Sequence, residues 1–161
     1  MTQPLRLLTR EDAAAAHALH ALCFPPDEVW SAWAFQDTFA LTTTLGVGAE
    51  DENGRLTGMI IVQKTPPDAD ILTMCVAPDK RRHGLAAHLL SGLVTLLGPY
   101  GMARLCLDVA ADNTAAIKFY ESSGFLKDGR RKNYYLRAGG ARVDAILMSR
   151  AIAGHTGESE A

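Results

Sequence analysis

The residues with the clearest chemical meaning lie at positions 74–87, which read Met-Cys-Val-Ala-Pro-Asp-Lys-Arg-Arg-His-Gly-Leu-Ala-Ala. A β-prone run ends at Val76 and a proline turn follows at Pro78. Three consecutive cations, Lys80, Arg81 and Arg82, then precede His83, Gly84 and a leucine-rich stretch. The first amides of a helix have no partner within it, and the helix dipole favours an anion at that end. Gly84 lets the backbone come close to such an anion. The arrangement suits a pyrophosphate group. Without a ligand the same residues are a strand–loop–helix connection with a solvated basic face, and a lone glycine-rich loop does not choose between the two. Two familiar phosphate motifs are excluded. No Gly-Lys-Ser/Thr follows the loop, and the extra glycines of a dinucleotide fingerprint are missing.

The elements that must position this segment are readable from periodicity. Residues 5–8 form a short apolar strand. Residues 10–23 are alanine-rich with Leu19 and Leu22 recurring, which predicts a helix that Thr9 can cap and Phe24-Pro25-Pro26-Asp27 ends. A second helix is expected over 30–39, with Ser31 as its cap. Residues 42–50 and 55–64 flank Asp51-Glu52-Asn53-Gly54, a hairpin signal. Pro66-Pro67-Asp68 closes that pair, and 70–76 is a further strand. Leu85, Leu89, Leu93 and Leu97 share one face of a helix over 85–97. In the strand 104–109, Leu105, Leu107 and Val109 face one way and Cys106 and Asp108 the other. A helix over 113–122 stops at Gly124, and 134–136 with 142–148 form a closing strand pair. The fold class is α/β, a mixed central sheet of about seven strands flanked by about four helices. The helix between strands 70–76 and 104–109 makes that strand pair parallel.

Composition narrows the function classes. The chain has 161 residues, 48% hydrophobic and 21% charged, with a formal net charge of -2. That is enough for one domain with a real core, expected over residues 1–152, with 153–161 a polar disordered tail. No global field recruits nucleic acid or an anionic membrane. No run approaches the roughly 18 apolar residues of a membrane span, and no secretory signal is read at the N-terminus. Cys23, Cys75 and Cys106 are odd in number, far apart and set among apolar neighbours. They read as buried free thiols in a reducing cytoplasm. His17 and His20 lie three apart on a helix with no third ligand, so no metal is expected.

Two motifs together carry a family resemblance. Arg81-Arg82-His83-Gly84-Leu85-Ala86, preceded by Val76-x-Pro78, resembles the (Gln/Arg)-x-x-Gly-x-(Gly/Ala) signature of the GNAT acetyltransferases. Asn113-Thr114-Ala115-Ala116-Ile117-Lys118-Phe119-Tyr120, continuing to Gly124-Phe125, is similar to the second motif of that superfamily. Phe24-Pro25 with Trp30-Ser31, Arg131-Lys132-Asn133-Tyr134-Tyr135 and Asp144-Ala145-Ile146-Leu147-Met148 resemble the ribosomal-protein-alanine N-acetyltransferase (RimI-type) group. The last two of these also occur in other N-terminal acetyltransferases.

The resemblance implies a GNAT fold, acetyl-coenzyme A as co-substrate and direct attack by a primary amine in a ternary complex. It implies that Met74, Cys75 and Val76 hold the pantetheine through their backbone, between two splaying strands. The backbone of Arg82, His83, Gly84, Leu85, Ala86 and Ala87 would hold the pyrophosphate, with charge from Arg81, and Asn113 would touch the cofactor. Asn113 is equally a helix cap, and His83 either bonds a phosphate or faces water. Tyr120 would protonate the departing thiolate, since a phenol of reference pKa about 10 suits that task; otherwise it is a packed tyrosine. Asp108 stands where the group carries a glutamate proposed as general base. One methylene shorter, it reaches the amine through an ordered water or serves as a polar strand end. Tyr134 and Tyr135 line the acceptor groove or pack between the closing strands. Trp30 and Trp33 are read as packing residues, with lining of the groove as the alternative. The expected acceptor is a protein or peptide N-terminus, alanine or another small residue, on a ribosomal protein. A lysine or small-molecule amine, or a coenzyme A-binding module with little catalysis, are the other readings.

Overall fold

The computed structural model describes residues 3–152. The expected tail at 153–161 lies outside the described residues. Seven strands form one sheet: β1 (Leu5–Leu7), β2 (Thr44–Glu50), β3 (Leu56–Thr65), β4 (Asp68–Val76), β5 (Arg104–Ala110), β6 (Leu126–Leu136) and β7 (Arg142–Ala151). Four helices cover it: α1 (Ala13–Cys23), α2 (Ala32–Ala40), α3 (Leu85–Leu97) and α4 (Thr114–Ser122). Strand order is β1-β2-β3-β4-β5-β7-β6. Only β4 and β5 pair in parallel, as a helical crossover requires. No helix among the described residues is long and apolar enough to cross a membrane.

The sheet separates two apolar clusters. α3 and α4 pack on one face, with Leu89, Leu93, Leu97, Ile60, Leu105 and Met148 at its centre. α1 and α2 pack on the other, around Leu19, Phe35, Met59 and Ile61. Covered on both sides, β3 is buried throughout 56–62, which explains its unbroken run of apolar and small residues. α3 lies close on this strand because Gly58 has no side chain. A Cβ there would sit 2.9 Å from Leu89 Cδ1 and 3.1 Å from Leu85 Cδ2. That close approach sets the height of the α3 N-terminus above the sheet.

Capping follows the sequence at two helices. Ser31 Oγ accepts from Ala34 N–H at 3.0 Å, and Asn113 Oδ1 accepts from Ala116 N–H at 3.2 Å. At α1 the chain first makes a 3-10 turn over Arg10–Asp12, where the Asp12 carboxylate accepts from Thr9 N–H at 2.7 Å.

Three expectations need correction. The closing pair is much longer than 134–136 and 142–148: β6 runs over Leu126–Leu136 and β7 over Arg142–Ala151. β6 is an edge strand with nearly every residue exposed, so residues 126–133 carry charge instead of an apolar alternation. Trp33 does not pack; it is 74% exposed. Of the three cysteines only Cys75 is buried, while Cys23 and Cys106 are half-buried.

Candidate active site

β4 and β5 are hydrogen-bonded at one end only. Their register covers Asp68↔Arg104, Ala69↔Leu105 and Asp70↔Cys106. The Arg104–Asp68 ion pair, at 3.1 Å, closes that end. Beyond it β4 carries an extra residue. Ile71 opposes Val62 and Thr73 opposes Ile61, which leaves Leu72 without a partner in β3. Such a bulge bends its strand and increases the local twist. β4 departs from β5, and a cleft of about 450 Å³ opens between them. Met74 lines one wall and Asp108 the other, with Asn113 and Tyr120 from the α4 side and Tyr135 from β6.

Tyr120 projects from α4, its ring edge-to-face with Phe119 at 5.2 Å and with Phe125 at 5.3 Å. Burial pushes its phenol up to about 12. Among the described residues its hydroxyl has one partner, Met74 Sδ at 3.8 Å. A thioether is a weak acceptor, so the donor is available to a stronger one entering the cleft.

Asp108 is exposed and faces the α1 side of the sheet, as the alternation in β5 predicts. Asp70 shares this side. Burial, then the charge of Asp68, raises the Asp70 carboxyl, with Asp108 adding to it. Burial also raises the Tyr135 phenol, and Asp108 adds to that shift. Asp108 and Glu28 line the cleft together with Arg137, whose guanidinium pairs with Asp112 at 2.8 Å.

The loop before α3 has the form of an anion cradle. Arg82 takes φ 69 and Gly84 φ 78, two left-handed residues within one turn. Alternating backbone handedness gathers N–H groups into a nest. His88 N–H is the first to bond back, to Gly84 O at 3.0 Å, so by helix geometry the amides of Leu85, Ala86 and Ala87 point outward. No acidic residue occupies the first turn of α3. A Cβ on Gly84 would meet nothing within 4 Å, so the glycine serves its positive φ and the space beside it is open. A hollow of about 280 Å³, lined by Val76, Lys80, Arg81, Arg82, Gly84, Leu85, Ala86, Ala87 and Phe119, lies here. Its amides and cations fit a diphosphate.

Several expected residues sit differently from their neighbours. The Arg81 guanidinium turns back, Nε donating to Val76 O at 2.9 Å, so it braces the end of β4. His83 lines an adjoining hollow with Gln3, Asp79 and His88, which shares Lys80, Gly84 and Leu85 with the cradle. The Cys75 side chain belongs to the cluster under α1, which leaves only its backbone for the α3 side. Asn113 both caps α4 and lines the cleft. Tyr135 reaches the cleft; Tyr134 is not among its lining residues. Tyr134 is 48% exposed, with the Arg131 guanidinium carbon 5.3 Å from its ring centre. The two rings still meet edge-to-face, centroids 5.0 Å apart, just past a register irregularity between Arg131 and Tyr135. Asn133 takes φ 53, its N–H donates to Asp144 Oδ1 at 2.8 Å, and Arg130 pairs with the same carboxylate. Asp144 thus holds the turn of strand that aims Tyr135.

Two residues of the cleft were missed in the sequence. His20 is 2% exposed, and its Nδ1 accepts from Trp30 N–H at 3.2 Å. The proton must then be on Nε2, which lies 3.1 Å from Thr73 Oγ1 and donates to it. Burial and then His17 lower the His20 pKa to about 4, so the ring is neutral. With one lone pair engaged, the Thr73 hydroxyl is held at the cleft wall. The signal was a histidine one helical turn before the Phe24-Pro25 break. No group of three or more His, Cys, Asp or Glu that could hold a metal occurs among the described residues.

Comparison with known proteins agrees with this fold. The acetyltransferase (GNAT) family model matches residues 9–125. The [ribosomal protein bS18]-alanine N-acetyltransferase of Escherichia coli K12 is 41% identical over 98 residues, 61% of this chain and 66% of the relative, just under two thirds of its length. The N-alpha-acetyltransferase RimI of Mycobacterium tuberculosis is 34% identical over 158 residues, 92% of this chain and 94% of the relative. The crystal structure of the Escherichia coli ribosomal-protein-S18-alanine N-acetyltransferase superposes with a TM-score of 0.84 at 32% identity, covering 94% of each chain. Arabidopsis thaliana NAA60 in complex with acetyl-CoA shares the fold at 21% identity, TM-score 0.81, over 95% of this chain and 100% of that one. The chain belongs to the GNAT acetyltransferase family, an enzyme class whose acyl donor is acetyl-coenzyme A.

Proposed function

We propose that the chain is an N-terminal protein acetyltransferase of the cytoplasm. Its acceptor is the α-amino group of alanine or another small residue on a ribosomal protein. The observation that carries this reading is a single cleft that brings Asp108 and Tyr120 together between splayed strands. The names of the Escherichia coli and Mycobacterium tuberculosis relatives support the choice of acceptor.

In this reading the chain's residues divide the work. The nest from Arg82 to Ala87 holds the diphosphate, and the free backbone edge of 74–76 in β4 holds the pantetheine arm. Asp108, with its shorter side chain, takes the amine proton through an ordered water. Tyr120 donates a hydrogen bond to the sulfur as negative charge develops on it. At about 12, the phenol stays protonated across the working pH range. Tyr135 and Trp30 border the acceptor groove, with Tyr134 at its outer edge. No covalent enzyme intermediate is needed, so attack occurs in a ternary complex.

Acetyl-coenzyme A turnover against short peptides beginning with alanine, serine or methionine tests this, with the same peptides blocked at the N-terminus as controls. Acetylation of the free alanine and serine peptides, lost on blocking, with intersecting double-reciprocal plots, is the expected result. Turnover that survives blocking, or prefers polyamines, rejects the acceptor.

A further inference from the structure

We propose, resting on the N-terminal acceptor reading above, that Thr73 tells an α-amine from a side-chain amine by donating a hydrogen bond to the first carbonyl oxygen of the acceptor peptide, and that His20 aims it. The bulge in β4 sets where the hydroxyl points. Ile71 and Thr73 are two apart, so in a regular strand both would face the same side. Ile71 instead packs with the cluster under α3, while Thr73 meets His20 of α1. Their partners in β3 repeat the division. Val62, opposite Ile71, belongs to the α3 cluster, and Ile61, opposite Thr73, belongs to the α1 cluster. The extra residue at Leu72 therefore opens the cleft and also turns Thr73 to the side of the sheet that Asp108 faces. Tyr120 and Met74 pack toward the other side. The sulfur end of the reaction falls to them, and the amine end to Asp108 and Thr73.

His20 fixes which way the hydroxyl proton goes. Its ring stacks on Phe24 at 4.2 Å and meets Phe35 edge-on at 5.4 Å, and Trp30 N–H occupies Nδ1. Ring orientation and tautomer are both set. Nε2 can then only donate, and Thr73 Oγ1 accepts from it at 3.1 Å. The threonine's own proton must leave in another direction, and among the described residues the hydroxyl makes no other hydrogen bond. Thr73 is 9% exposed yet lines the cleft with Phe24, Trp30 and Asp108. A donor held at that wall loses its water when a ligand enters, and it must be paired again or binding is weakened. It calls for an acceptor oxygen on whatever fills the cleft.

An N-terminal residue supplies one. Its carbonyl is attached to the same carbon that bears the amine. At that distance from the nitrogen a lysine side chain or a polyamine carries only a methylene, which would leave Thr73 unpaired. A site built to hydrogen-bond an oxygen rejects an analogue that lacks it. The hydrogen bond forms when the peptide binds and persists through attack, so it acts on KM and leaves kcat nearly unchanged.

The test is a cycle of two enzymes and two peptides. One peptide begins with alanine. The other has its first amide replaced by a trans-alkene, which keeps the shape and the amine and removes the carbonyl. Dividing the kcat/KM of the parent by that of Thr73→Val for each peptide cancels intrinsic differences between the amines. With the alanine peptide the ratio should be about tenfold and carried by KM, and with the alkene peptide about one. Thr73→Ser, which keeps the hydroxyl, should match the parent. His20→Phe, which keeps an aromatic ring and no N–H, should behave as Thr73→Val does. Damage to the fold would lower both peptides alike. Equal ratios for the two peptides, or a loss carried by kcat as expected of a donor to the acetyl carbonyl, overturns the proposal. A His20→Phe enzyme with the parental KM overturns the role of His20. A parent enzyme that acetylates neither peptide but turns over another amine refutes the N-terminal reading itself, a result distinct from equal ratios.

Discussion

Replacing Tyr120 by phenylalanine removes one oxygen and leaves the ring in place. The phenyl group keeps its contacts with Phe119 and Phe125 at 5.2 and 5.3 Å. The hydrogen bond it loses runs to a thioether at 3.8 Å, so the cost in folding stability stays below about 1 kcal/mol. Catalysis loses the donor aimed at the departing sulfur. A positioned acid contributes on the order of 10²-fold or more, which is about 2.7 kcal/mol of barrier at the lower figure. Because the phenol titrates only near 12, the deficit should be equal at pH 7 and pH 9. Release of free coenzyme A thiol, followed at saturating acceptor, measures kcat, and a titration of acetyl-coenzyme A gives its KM. The expected result is a kcat about 100-fold lower with KM within about threefold, the signature of an interaction made chiefly in the transition state. A kcat close to that of the parent enzyme would refute the role assigned to Tyr120.

Three other changes probe different parts of the site. Asp108→Asn should lower kcat/KM by about 10²-fold, while Asp108→Glu retains most activity; an unchanged kcat/KM in the asparagine variant would show that the base lies elsewhere. Gly84→Val forces a branched side chain into φ 78 at roughly 1–2 kcal/mol and fills the cradle, so calorimetry should show weaker coenzyme A binding; unaltered binding would remove the cradle from the account. His20 has a folded pKa of about 4, below the unfolded value of about 6.5. Its contribution is therefore complete above pH 6.5 and lost as pH falls through 6.5 towards 4, by up to roughly 3 kcal/mol. Urea unfolding of the parent and of His20→Gln at pH 7.5 and 4.5 should show this loss in the parent alone; an equal pH dependence in both would contradict the assignment.

Much of the molecule is legible in its sequence because its signals are local. The leucine face of α3 and the Asn53-Gly54 turn each state their conformation within a few residues. Asp108 on the face opposite Leu105, Leu107 and Val109 is a consequence of period two and holds in the structure. The misses arise where the determinant is distant. β6 is hidden because an exposed edge strand needs no apolar side chains. The bulge at Leu72, which opens the cleft, has no glycine or proline to mark it; it exists in the register against β3. His20 gains its meaning only from Thr73 and Trp30. Helical periodicity placed Trp33 in a second helix correctly but could not say which face the sheet would cover.

The account's central claim is that the cleft beside Asp108 acetylates an α-amino group. One peptide tests it most directly: an alanine N-terminus followed by polar residues and a single internal lysine, incubated with enzyme and acetyl-coenzyme A and sequenced by tandem mass spectrometry. The account predicts one acetyl group, on the alanine nitrogen, and none on the lysine. Acetylation at the lysine Nζ in preference to the N-terminus would contradict it.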